Sequence, residues 1–380
     1  MKTITLLHPG KLVFGDEALE VFKNDFIASG YKRLFILTIP FLIDHLSELL
    51  ETFKGKSIEY ELDMSILNEP SFQEFNVVLE KAKSFEADSI VGIGGGSVLD
   101  VSKLVAAQLK NTQTIDEIIG IGNLRERQTY LACIPSTSGT GSEVSPNAIF
   151  IDENGGKKGV ISPFLVPDAS YIYPKLTLSV PASVTAATGI DALTHCLEAY
   201  ANKFSHPVVD VIAIEGIKLI AENLVEACEN GNDLEARTNV ALGSLYGGMC
   251  LGPVNTGAVH ALSYPLGTEF HIPHGLSNAL LLPYVMEFNL PKAIIEYANI
   301  AKVIGAEIGH TDEETAKNGI LKIRELNAAC KIPSKLSDLG IPITAIDKMA
   351  NNALEIQRLL KNNPKKVELE DAKTIYKAAF

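Results

Sequence analysis

No run of the sequence approaches the eighteen or so uninterrupted apolar residues of a membrane span, and no repeat or low-complexity segment is present. The opening residues, MKTITLLHPGKLVFGDEALE, contain an early lysine and a few apolar residues. His8, Pro9, Gly10 and Lys11 interrupt any signal-peptide core, so no export signal is expected. Cysteine is scarce: Cys133, Cys196, Cys228, Cys250 and Cys330 are odd in number, widely spaced and free of C-x-x-C pairs, which points to reduced thiols and a cytoplasmic protein. Positive charge is in deficit as well, with 33 Lys and Arg against 46 Asp and Glu for a formal charge of −13. That balance argues against nucleic acid or an anionic membrane as a partner, since both need a basic face. The one compact basic run, KNNPKK at 361–366, reads as a solvated face.

What remains is a chain of 380 residues, 46% hydrophobic and 21% charged, long for one core and comfortable for two domains. Its first half alternates short β-branched runs with amphipathic helical runs, the pattern of parallel βαβ units. RLFILT (33–38), SIEYEL (57–62), SIVGI (89–93) and YLACIPS (130–136) read as strands. FLIDHLSELLETF (41–53) and SFQEFNVVLEKAKSF (71–85) read as helices, the latter with Ser71 as N-cap. Beyond VPASVTAATGID (180–191) strand signals fade and long helical stretches take over. Pro181 suits a first helical turn, so the expectation is an α/β domain over 1–180 and an all-helical domain over 181–380.

Two small-residue loops follow strand ends. In SIVGIGGGSVLDVSKLVAAQ (89–108) a strand runs through glycines into a helix expected to start near Ser97, a geometry that presents backbone N–H groups to a phosphate. The dinucleotide fingerprint G-x-G-x-x-G nearly matches from Gly92, but its sixth position is Ser97, so a tight structural turn fits equally well. The second loop, PSTSGTGSEVSP (135–146), gathers Ser136, Thr137, Ser138, Thr140 and Ser142, whose hydroxyls suit phosphate or ribose oxygens. Two such loops after neighbouring strand ends favour a ligand.

His260, His271 and His274 crowd into VHALSYPLGTEFHIPHG (259–275) without the H-E-x-x-H pattern of a metalloprotease. They are either three separately satisfied histidines or part of a metal site completed elsewhere. TGIDALTHCLEAY (188–200) supplies the missing groups, because Asp191 and His195 stand four apart on an expected helix among apolar neighbours. One carboxylate and three imidazoles suit Fe(II), Zn(II), Co(II) or Mn(II) better than Mg(II) or Ca(II).

With these four motifs in this order, the chain resembles the iron-containing (group III) alcohol dehydrogenase family over essentially its whole length. GGGSVLDVSK is similar to that family's pyrophosphate loop, PSTSGTGSEVS to its second cofactor loop, and TGIDALTHCLEAY and VHALSYPLGTEFHIPHGLSNALLLP to its two metal signatures. The resemblance implies a Rossmann-like dinucleotide-binding domain followed by an all-α metal-binding domain, the fold shared with dehydroquinate synthase. It implies Asp191, His195, His260 and His274 as ligands of Fe(II), or of Zn(II). The pyrophosphate is expected on Gly95, Gly96 and Ser97, with Asp100 and Asn68 nearby, and Thr137, Ser138, Thr140 and Lys157 toward the ribose or nicotinamide.

The implied activity is hydride transfer between NAD or NADP and a small alcohol, diol or hydroxy acid whose oxygen binds the metal. The nearest sub-patterns are lactaldehyde reductase, 1,3-propanediol dehydrogenase and hydroxyacid-oxoacid transhydrogenase; a lyase of the dehydroquinate synthase kind would need basic residues that the metal loop lacks. A homodimer joined through the N-terminal strands is also implied. Two positions depart from the family pattern. Tyr264 stands where members often carry a proton-relaying histidine, which leaves Tyr264 or His271 for that role, and Ile39 stands where NAD-using members carry an aspartate.

Overall fold

The structure, a computed structural model, describes residues 3–153 and 155–380. It is a parallel α/β unit followed by a helical unit. Leu7–Thr137 and Gly141–Ser179 make up the first, and Val180–Phe380 the second. The helical unit also takes the residues up to Leu6 and the short stretch Ser138–Thr140. The excursion at Ser138–Thr140 has a physical cause: the Gly139 backbone lies so close to Thr188 that a Cβ on it would stand 2.6 Å from the Thr188 Cβ.

The strands are β1 (Lys11–Phe14), β2 (Arg33–Leu37), β3 (Glu59–Asp63), β4 (Ser89–Gly94), β5 (Gly120–Ile121), β6 (Tyr130–Pro135), β7 (Asn147–Ile151), β8 (Lys157–Ile161) and β9 (Ala169–Ile172). Six form one sheet in the order β1-β9-β6-β4-β2-β3, and every neighbouring pair is parallel. The other three form a small sheet, β5-β8-β7. Side chains alternate across the large sheet. Leu34, Ile36, Val91, Ile93, Ala132 and Ile134 pack under α1 (Ala18–Ser29) and α2 (Ile43–Gly55), while Phe35, Leu37, Ile90, Leu131 and Cys133 pack under α3 (Phe72–Ser84) and α4 (Gly96–Gln108). A sheet buried on both faces needs apolar residues at every position, which is why its central strands read as continuous hydrophobic runs.

Ser71 caps α3 as expected, in a reciprocal arrangement with Glu74. The glycine-loop helix starts one residue before the expected Ser97, and Pro181 stands at the N-cap of its helix instead of inside the first turn. After the single-turn α5 (Ile115–Ile118), the helical unit holds α6 (Ala182–Tyr200), α7 (Pro207–Glu229), α8 (Leu234–Leu251), α9 (Ala258–Phe270), α10 (His274–Asn289), α11 (Ile294–Val303), α12 (Asp312–Ala329), α13 (Ile346–Leu354), α14 (Gln357–Leu360) and α15 (Leu369–Ala378). They enclose one apolar core around Ile190, Leu193, Leu197, Ile217, Leu262 and Leu280. Among the described residues, no helix is long and apolar enough to cross a membrane.

Candidate functional site

Helix α6 runs through the core of its unit, and Asp191, His195 and Glu198 fall on one stripe of it, all buried. His260 enters from the first turn of α9 and His274 from the first residue of α10. The α10 start is held tightly against α6: a Cβ at Gly275 would fall 2.5 Å from the Ala187 carbonyl oxygen, so only glycine permits this approach. The result is a convergence of three imidazoles on one carboxylate oxygen. Nε2 of His195, His260 and His274 stand 3.8, 3.5 and 3.8 Å from Asp191 Oδ1. The ligating atoms of Asp191, His195 and His260 all lie within 4.8 Å of one another. Donors arranged tetrahedrally about a shared ion at ~2.1 Å are about 3.4 Å apart, close to this spacing.

Two further side chains fix the cluster. His260 Nδ1 is 2.6 Å from Glu198 Oε2, and the other Glu198 oxygen accepts the Val259 backbone N–H at 2.6 Å. Asn278, fully buried on α10, donates to Asp191 Oδ1 at 2.6 Å. Burial pushes the Asp191 carboxyl up, but the surrounding His195, His274 and His260 outweigh it and hold it well below the carboxylate range. Burial pushes His195 down to about 4, against the pull of Asp191. Burial also lowers His260, yet the carboxylates of Asp191 and Glu198 overcome it and raise His260 to about 10.

These residues fit a divalent cation. His260 Nε2 is buried and has no hydrogen-bond partner among the described residues, although it faces a carboxylate oxygen. Two buried carboxylates that hold a proton on an imidazole hold a metal ion in its place. One oxygen and three nitrogens form a donor set for iron or zinc.

Tyr264, one turn after His260, is 8% exposed, and its ring meets the His274 ring edge-on at 5.9 Å. Its hydroxyl accepts a hydrogen bond from Arg358 Nη2 at 2.6 Å. His271, by contrast, is exposed; it ends α9 in the left-handed conformation and makes no side-chain hydrogen bond or ring contact among the described residues. His271, one of the two expected candidates for proton relay, is therefore an exposed helix C-cap.

In the α/β unit, Gly92 and Gly94 are demanded by packing, since added Cβ atoms would stand 2.5 Å from Ser102 Oγ and 2.7 Å from Val98 Cβ. Gly95 is not: its nearest neighbour would be Thr137 at an ordinary 3.5 Å. Gly95 is the N-cap of α4 and offers no capping side chain, which leaves the first-turn N–H groups at Gly96 and Ser97 for an anion. Asp100, expected near the pyrophosphate, faces the second loop. One of its oxygens accepts from Ser142 Oγ and the other from the Ile149 N–H, so it braces the second loop and β7 against α4. Lys103, fully buried, works with it, its ammonium donating to the Ser142 carbonyl and hydroxyl at 2.9 Å and to the Ser145 carbonyl at 3.2 Å. Asn68 is exposed, and Lys157 forms an ion pair of 2.6 Å with Glu69. Thr137, Ser138 and Thr140 are partly exposed, the last two within the stretch that joins the helical unit.

Sequence reasoning missed Glu198, Asn278, Lys103 and Arg358. The first two carry a usable signal, at i+7 from Asp191 and i+4 from His274 on the same helices.

Known proteins share this arrangement of chain. Residues 9–174 match the family described as iron-containing alcohol dehydrogenase, and residues 185–380 the C-terminal part of the Fe-containing alcohol dehydrogenase family. The chain is 34% identical to long-chain-alcohol dehydrogenase 1 of Geobacillus thermodenitrificans, covering 92% of this chain and 90% of that one. It is 31% identical to sulfoacetaldehyde reductase of Bilophila wadsworthia, covering 97% of each. A crystal structure of 1,3-propanediol oxidoreductase superposes over 100% of both chains with a TM-score of 0.96 at 31% identity.

Proposed function

The chain belongs to the iron-containing alcohol dehydrogenase family, and from that premise we propose that it transfers hydride between NAD or NADP and a small alcohol, diol or hydroxy acid in a metal-dependent reaction. The observation that carries the reading is the convergence of three histidine Nε2 atoms on Asp191 Oδ1. Asp191, His195, His260 and His274 would hold the metal, Fe(II) before Zn(II). When bound, the metal supplies Lewis acidity at the substrate oxygen, and the nicotinamide gives or takes the hydride.

The chain's own residues do the rest. Glu198 accepts from His260 Nδ1, which sets the tautomer and directs Nε2 to the centre. Asn278 orients the Asp191 carboxylate. Tyr264 is the residue we assign to proton movement. Its hydroxyl accepts from Arg358, a group that can only donate, so its own proton is directed to another acceptor, and its ring lies against His274. Gly95, Gly96 and Ser97 would take the pyrophosphate at the start of α4, with Thr137, Ser138, Thr140, Asn68 and Lys157 contributing polar contacts and Asp100 bracing the loop from behind. A cytoplasmic homodimer follows from the same reading, with β1 at a sheet edge offering unpaired backbone groups for the association.

The test is reconstitution with Fe(II) under anaerobic conditions, and with Zn(II) in parallel, followed by NADH or NADPH and a panel of short aldehydes. Loss of nicotinamide absorbance that requires metal and disappears in His260→Ala supports the reading. Nucleotide binding without consumption of any aldehyde, under either metal, overturns it.

A further inference from the structure

Arg358 lies half-buried on the one-turn helix α14, 94 residues along the chain from the tyrosine it touches. Its guanidinium has five N–H donors. One reaches the Tyr264 hydroxyl at 2.6 Å, and the guanidinium carbon stands 5.6 Å from the centre of the Tyr264 ring. No ion pair accompanies these contacts among the described residues. Four of the five other arginines are treated differently. Arg33, Arg127 and Arg324 face Glu59, Asp168 and Glu287, and Arg237, also buried, spends its donors on the Gly231 and Val180 carbonyls and the Thr185 hydroxyl. Arg358 is thus a partly desolvated cation with most of its fork unspent, in a protein with a net charge of −13.

Its place explains why. The cluster around Asp191 is closed on most sides: the side chains of Asp191, His195 and His260 are 3, 6 and 5% exposed, whereas His274 is 27% exposed. The cluster is most open to solvent on the His274 side, which we take as the side a substrate enters. Tyr264 packs on His274 and Arg358 packs on Tyr264, so the cation stands along that approach. A buried or half-buried guanidinium is stabilised by a planar or tetrahedral oxyanion that takes two donors at once.

We propose that Arg358, seated on Tyr264, binds an anionic group of the substrate, so that the preferred substrate is a short alcohol or aldehyde carrying a carboxylate or sulfonate near its reacting carbon. This rests on the reading of Asp191, His195, His260 and His274 as the reaction centre. Arg358 selects the substrate by its far end, while the centre acts on the near end. A neutral alcohol of equal length leaves the fork unpaired and is held less well.

The experiment compares 3-hydroxypropanoate and 2-hydroxyethanesulfonate with 1-propanol, as kcat/KM in metal-loaded wild type, Arg358→Met and Arg358→Lys. The wild type is expected to favour one or both anions by about 10- to 100-fold, the range of a charge-assisted hydrogen bond, with the carboxylate and sulfonate arms identifying which. Arg358→Met is expected to collapse that anion-to-neutral ratio through KM, and Arg358→Lys to retain an intermediate ratio. Calorimetric binding of propanoate, ethanesulfonate and 1-propanol to the same proteins reads the subsite without turnover. Equal affinities for anion and alcohol in wild type, or an anion preference that survives in both variants, overturn the proposal. Failure of the dehydrogenase reading looks different: no alcohol is oxidised, yet the Arg358-dependent anion binding persists.

Discussion

His260 Nδ1 and Glu198 Oε2 stand 2.6 Å apart, both in side chains that are 5% exposed. The contact fixes an imidazole that would otherwise be free to present either nitrogen. Glu198→Gln keeps the shape but removes the charge, and it is expected to weaken metal binding by about 10- to 100-fold, as loss of a carboxylate behind a ligating histidine does elsewhere. Competition with a calibrated chelator measures this directly. Unaltered metal affinity in a folded Glu198→Gln protein would mean that packing alone orients His260.

Lys103 is a buried cation whose partners are two serines and Asp100, the last at 3.5 Å. Replacing it with methionine leaves the Asp100 carboxylate uncompensated, and removal of one partner from a buried pair costs on the order of 3–5 kcal/mol. Lys103→Met is expected to lower the denaturation midpoint sharply and to weaken nucleotide binding, because the loop it pins carries Thr137. The double variant Lys103→Met, Asp100→Asn should recover much of the stability but not the nucleotide affinity.

Glu143, in the same loop, is buried, and that burial raises its carboxyl from the usual 4.5 to about 7 despite the opposing field of Lys103. The folded protein therefore holds a proton there that the unfolded chain releases above 4.5, so stability falls as pH rises between 4.5 and about 7. Wild type is expected to lose on the order of 2 kcal/mol relative to Glu143→Gln between pH 5 and pH 8. Denaturant titrations of both proteins at the two pH values give the difference, and parallel behaviour would show that Glu143 ionises freely in the fold.

Ile39 follows β2 and packs into the apolar clusters on both faces of the sheet. It offers no carboxylate to a ribose hydroxyl and no repulsion to a 2′-phosphate. Ile39→Asp is expected to shift the NADH-over-NADPH ratio of kcat/KM toward NADH by about tenfold or more. An unchanged ratio would place the adenosine ribose away from the end of β2.

The sequence carries local information well and assembled information poorly. Asp191 and His195 were legible because an interval of four on a helix is a spatial statement by itself. His260 and His274 are fourteen residues apart on two helices, and nothing in that interval says that their Nε2 atoms meet; residue chemistry joined two of the three later histidines to α6, and only the resemblance to a family chose these two. His271 lies between them and reads the same by composition, yet the left-handed turn after α9 aims it at solvent. Arg358 reaches Tyr264 from a single helical turn far along the chain, so no spacing rule finds it. In the α/β unit the central strands announce themselves as apolar runs. KLVF and ASYI, the edge strand β1 and its neighbour β9, do not, because four residues are too few to carry a pattern.

That edge pair also sets a clock. Among the described residues β1 is aligned in parallel with β9 and with no other strand, Lys11 opposite Ala169. During synthesis β1 leaves the ribosome about 160 residues ahead of β9, its one neighbour among the described residues, which is on the order of 10–30 s at ordinary translation rates. No hairpin can bridge the wait, since every pair in the large sheet needs a crossover. Nascent β1 must therefore wait for β9 until most of the α/β unit has been made, and this edge of the sheet closes late.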